Sequence, residues 1–99
     1  MTYKGVDSPE GKTVEFKGEP IPAVPYTDSS GSDLDWGYVG AGPNNTARSI
    51  LEHAQTKGVC ENIDPANHHV EFTKEFILKF ENEGWTIELS EIKEWCENR

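Results

Sequence analysis

The sequence predicts an α+β domain: a small antiparallel sheet of three or four strands with about three helices packed on one face. Three observations predict it. Short segments near the start alternate apolar and polar residues, as half-buried strands do. Later segments space apolar residues at i, i+3, i+4 and i+7, as amphipathic helices do. Three Trp, three Tyr and four Phe supply a core although only 34% of residues are hydrophobic. The 99 residues make one domain, residues 1–99, which buries roughly 65% of its unfolded surface.

Residues 2–6 read as the first strand, and residues 7–11 are dense in turn formers. Residues 13–17 alternate, with Val14 and Phe16 inward, and pair back as a hairpin. Pro20, Pro22 and Pro25 remove ladder donors, so residues 20–25 form an extended edge segment crossing the sheet. Residues 27–32 are a polar loop.

Leu34, Trp36 and Tyr38 alternate against Asp33, Asp35 and Gly37, which predicts a short strand facing the core. Gly40 and Gly42 then permit close backbone approach, and Pro43 suits a first helical turn. A helix follows over residues 43–57, with Ala47, Ile50, Leu51 and Ala54 toward the core and Gly58 ending it. Residues 59–69 are irregular, with a turn and a possible helix start at Asp64 and Pro65. Val70, Phe72, Phe76, Ile77 and Phe80 mark a second helix to residue 82, stopped by Gly84. Within it Glu71 and Glu75 are a like-charge pair, whereas Glu75 and Lys79 attract. Residues 85–89 alternate as a fourth strand or an extended connection. Ser90 is a candidate N-cap for a last helix, with Ile92, Trp95 and Cys96 on one face.

Eighteen acidic and nine basic side chains give a net charge of −9. That balance argues against direct nucleic-acid binding, which depends on Lys and Arg, and against anionic membrane surfaces. It permits a basic protein partner. No apolar run resembles a signal peptide or a membrane span, so the expected location is cytoplasmic. In a reducing compartment Cys60 and Cys96 are expected as free thiols, with a bridge between them the alternative.

The turn of Gly40, Gly42 and Pro43 at a helix start is the most site-like feature, because backbone N–H groups there favour an anion. Trp36, Tyr38, Asp33 and Asp35 complete this candidate ligand or partner site. No Lys-Ser/Thr follows the glycines as a P-loop needs, and the three-glycine spacing of a dinucleotide fold is missing. Asp33 and Asp35 have no evident third ligand for Mg²⁺. His53, Cys60, His68, His69 and Cys96 lack zinc-ligand spacing. No metal, cofactor or catalytic constellation is therefore expected. Glu81, Glu83, Glu88, Glu91, Glu94 and Glu97 face only Lys93 and Arg99 from residue 81 onward. Glu88, Glu91 and Glu94 are the candidate acidic interaction surface; a solvated helix exterior is the plainer reading.

The run Trp36-Gly37-Tyr38-x-Gly40-x-Gly42-Pro43 resembles a small uncharacterised prokaryotic family of bacteria, phages and plasmids with an aromatic-Gly-Tyr-Gly-x-Gly-Pro-like motif. Tyr3, Gly5, Val14, Phe16 and Gly18 match its hairpin, Ala47, Ile50 and Leu51 its helix, and Phe72, Gly84 and Trp85 its later elements. Val39 stands where that family commonly has glycine. The resemblance implies a fold and a mobile-element context, and no mechanism. The leading expectation is a non-enzymatic acidic interaction module that binds or inhibits a host defence or nucleic-acid-handling protein. The other is a small-molecule or anion-binding module at the glycine-rich turn.

Overall fold

The computed structural model describes residues 1–29 and 31–99. Ser30, in the predicted polar loop, lies outside the described residues. Strand β1 (Thr2–Ser8) pairs antiparallel with β2 (Gly11–Phe16) and, on its other side, with β4 (Gly84–Glu88); the two-residue β3 (Glu19–Pro20) extends β2. The sheet order is β3-β2-β1-β4. Helices α1 (Ala41–Thr56), α2 (Pro65–Glu75) and α3 (Leu89–Glu97) complete an α+β fold, with a 3-10 turn at Ile77–Lys79 after α2. Among the described residues, no helix is long and apolar enough to cross a membrane.

Alternation sets the inner face of the sheet. Phe16, Tyr3 and Ile87 form one cross-strand row, and Val14, Gly5 and Trp85 the next; all are buried. Gly5 is obligatory in this packing, because a Cβ there would enter the Trp85 indole. That indole stacks on Phe80 at 3.9 Å and meets Trp36 edge-on at 5.3 Å. Phe72 does the same for Trp95 at 5.1 Å. Each such aromatic contributes roughly 2–3 kcal/mol by burial before chain entropy is counted.

Five expectations are corrected. Residues 33–39 are not a strand. Their polar groups bond elsewhere: the Asp35 N–H to Thr46 Oγ1 at 3.0 Å, the Trp36 N–H to the Asp35 carboxylate at 2.9 Å, and the Gly37 N–H to the Ile77 carbonyl at 3.0 Å. Trp36 is fully buried, Leu34 is only half-buried, and Tyr38 is 46% exposed. A loop can follow a core-facing pattern of two when side chains satisfy its backbone.

The proline segment crosses α1 rather than the sheet. Ile21 bonds back to β2, then the Val24 N–H reaches Ser49 Oγ at 2.7 Å and the Tyr26 N–H reaches Asn45 Oδ1 at 2.8 Å. This accounts for Asn45 and Ser49, two of the three buried polar residues of α1; the third, Thr46, bonds to Asp35.

The second helix starts at Pro65, the helix start offered at Asp64 and Pro65, rather than with the aromatic stripe at Val70, and it ends at Glu75 instead of running to residue 82. Asp64 caps it through the Ala66 N–H at 3.0 Å, with Pro65 in the first turn. Val70 consequently faces solvent, while Phe72 and Ile77 are buried. The last helix is capped by Glu88 rather than Ser90, because β4 runs directly into α3 and leaves Ser90 inside the first turn.

Cys60 and Cys96 are joined in a disulfide, not free. Cys60 sits in the left-handed region at φ 62°, in the turn after α1. That turn packs against α3: the Asn62 amide donates to the Cys96 carbonyl at 2.9 Å, and the two Cα atoms stand 5.3 Å apart. A sequence separation of 36 hides such proximity, and inferred compartment chemistry was a weaker guide than packing.

Candidate functional site

Two places carry the residues singled out from the sequence. The first is the turn of residues 33–43. Its centre is the Asp35 carboxylate, which receives the Lys12 ammonium, the Trp36 N–H and the Tyr38 hydroxyl, the last at 2.9 Å. Burial pushes this carboxyl up, but those three donors outweigh it and hold the group below its ordinary value. The same bond, helped by burial and the negative charge, pushes the Tyr38 phenol up. Lys12 also lies over the Trp36 ring, 5.0 Å from its centroid.

The glycines close this knot. A Cβ on Gly42 would stand 2.6 Å from Asp35 Cβ, and one on Gly40 would stand 2.9 Å from the Tyr38 ring. Thr46, one turn into α1, accepts from the Asp35 N–H and donates to the Asp35 carbonyl at 2.7 Å. The helix start therefore faces a carboxylate and a phenol of its own chain. Asp33 is exposed, and its carbonyl accepts from the Asn45 amide at 2.8 Å. Beside the turn, Glu10, Lys12, Asp33 and Asp35 border an open cleft of about 470 Å³.

The second place is the α2–α3 face. Of the three predicted acidic residues, Glu88 is engaged with β1. Its carboxylate accepts from the Thr2 hydroxyl at 2.6 Å and the Met1 amine at 3.3 Å, which hold it below the ordinary carboxylate value. Glu91 turns one oxygen toward the Glu88 N–H at 3.4 Å. Among the described residues, Glu94 has no ion-pair partner. Glu91 and Glu94 line a groove of about 290 Å³ with Glu75, Phe76, Trp95, Asn98 and Arg99. Phe76 and Trp95 form its aromatic wall, with ring centroids 6.3 Å apart.

Arg99 lies in that groove. Its guanidinium is 4.4 Å from the Trp95 ring centroid, and it donates to Glu71 at 3.0 Å and to the Trp95 carbonyl at 3.2 Å. Sequence reasoning missed Glu75, Phe76, Trp95 and Arg99 as neighbours. One signal was available: Glu71 and Glu75 are like charges one turn apart, an arrangement that costs stability unless a cation answers it.

The remaining titratable candidates are dispersed. His53 Nδ1 pairs with the buried Tyr3 hydroxyl at 2.8 Å; burial pushes that phenol up, while burial and Lys57 push the imidazole down. His68 is held by the Asp64 carbonyl at 3.0 Å. His69 is buried against Tyr26, and burial and Arg48 push it down. Among the described residues, no three of His, Cys, Asp and Glu converge on a common metal position.

No curated protein and no solved structure matches the chain. A match over residues 3–98 shows that the chain belongs to a family of unknown function, DUF6166.

Proposed function

We propose that this protein is a non-enzymatic, acidic interaction module that binds a basic protein through the α2–α3 face. The observation that carries this reading is the groove in which Glu75, Glu91 and Glu94 surround Phe76 and Trp95. Glu75 is paired with Lys79 at 3.8 Å, but among the described residues Glu91 and Glu94 have no ion pair. Aromatic surface beside such carboxylates suits a cationic protein segment, combining apolar contact with charge steering. The net charge of −9 adds long-range attraction for such a partner. A narrower version makes the partner a host defence or nucleic-acid-handling protein whose basic groove the carboxylates block, in a phage or plasmid setting.

Affinity capture from host lysate at low and high salt tests this reading. It expects basic proteins, released as salt rises and lost from a Glu75→Gln/Glu91→Gln/Glu94→Gln variant. Repeated capture of nothing overturns it. The cytoplasmic placement follows the sequence reading alone, and the Cys60–Cys96 bridge counts against it, because disulfides belong more naturally to an oxidising compartment. Thiol trapping at lysis decides the point, since reduced Cys60 and Cys96 support the cytoplasm and a persistent bridge contradicts it.

The cleft bordered by Lys12, Asp33 and Asp35 favours a second reading, a small-ligand site beside the glycine-rich turn. Asp33, Asp35 and Glu10 bias it against anions. Thermal-shift screening with cationic and neutral small molecules, with nucleotides and simple anions as the contrasting set, tests it, and absence of stabilisation by any of them at high ligand concentration sinks it.

A further inference from the structure

Trp95 is only 6% exposed, and one of its ring contacts is the Arg99 guanidinium. Its other close ring neighbours, Phe72 of α2 and Phe76 just past the end of α2, approach edge-on. The groove thus already holds a planar cation against an aromatic ring, with Glu71 as counter-charge and Glu91 and Glu94 alongside. A guanidinium suits this place better than an ammonium: it stacks on the ring while its edge donates in plane to carboxylates. Arg99 uses Glu71 and the Trp95 carbonyl, and the Glu94 carboxylate, without an ion pair among the described residues, is one that an incoming guanidinium taking its place could engage.

We propose that the groove is a receptor for an arginine side chain of the basic partner, and that Arg99 is a resident occupant displaced on binding. This rests on the reading of a basic protein partner. It adds the chemistry recognised, arginine over lysine, and a built-in competitor that sets the affinity. The groove is shallow at about 290 Å³, which suits one or two side chains and not a folded helix.

The test is titration of the full chain with hexa-arginine and hexa-lysine peptides at low salt, following the Nε1–H NMR signals of Trp36, Trp85 and Trp95. Arg99 is a surface residue, so Arg99→Ala leaves the core in place; Lys4→Ala removes the same charge from the outer sheet face. Hexa-arginine is expected to bind more tightly than hexa-lysine and to shift Trp95 while leaving Trp36 in place. Arg99→Ala should tighten hexa-arginine binding about threefold to fivefold, Lys4→Ala should not, and Glu91→Gln/Glu94→Gln should weaken it. Equal affinity for the two peptides, equal effects of Arg99→Ala and Lys4→Ala, or weaker binding by Arg99→Ala overturns the arginine receptor. In those cases cationic peptides still bind, and the basic-partner reading stands. Binding of neither peptide overturns both.

Discussion

The glycine-rich turn and the α2–α3 groove invert each other. The turn has the vocabulary of a site, with two glycines, two aspartates and two aromatics at a helix start. Yet Asp35 is answered by Lys12, Trp36 and Tyr38, and Gly42 exists beside Asp35 because nothing larger fits. The groove has the vocabulary of a solvated helix. Yet Glu94 is left without an ion pair among the described residues, beside a tryptophan covered by the chain's own guanidinium. Glycine records how closely backbone must approach; unanswered charge beside aromatic surface records what the fold leaves for something else.

Substitutions separate the two regions by what they damage. The largest effect is expected behind the groove, at the bridge holding the Cys60 turn to α3. Cys60→Ser/Cys96→Ser should cost roughly 4 kcal/mol, judged from the chain it closes, measured by denaturant unfolding against the oxidised protein. Next, Thr46→Val should cost about 1–3 kcal/mol, because the Asp35 peptide loses its partner inside the turn. A cost below half of that would show the turn to be less tightly built than its bonds imply.

Asp35→Asn gives a smaller effect with a pH signature. The folded carboxyl titrates below its ordinary value of 3.8, so the folded state binds fewer protons than the unfolded one across that interval. Its contribution is whole above pH 3.8 and is lost as pH falls through the lower folded value. The stability gap between wild type and Asp35→Asn, about 1 kcal/mol after screening, should therefore close in acid. A gap constant with pH would contradict the Lys12 pairing. Smallest of all, Glu91→Gln/Glu94→Gln should move stability by less than about 0.5 kcal/mol, since these side chains are exposed.

The fold was largely legible because its signals are local. The hairpin follows from alternation at Val14 and Phe16, and α1 from the stripe of Ala47, Ile50, Leu51 and Ala54. The alternation of Trp85 and Ile87 left a strand or an extended connection open, and it is the strand β4, with Leu89 already in α3. What failed to read required distant partners. Residues 33–39 alternate like a strand, but Thr46 and the Ile77 carbonyl take their backbone groups. The start of α2 at Asp64 was readable as a cap, but the longer aromatic stripe pointed past it. The knot around Asp35 joins Lys12 to residues far along the chain, and the groove joins α2 to α3. No spacing rule on one element exposes either, and the disulfide was hidden for the same reason.

Hydrogen exchange of the full chain with and without excess hexa-arginine weighs turn against groove most directly. Protection gained over residues 71–76 and 90–99, with residues 33–43 unchanged, is the predicted result. Protection gained over residues 33–43, with α3 unchanged, would make the glycine-rich turn the binding surface and contradict the account.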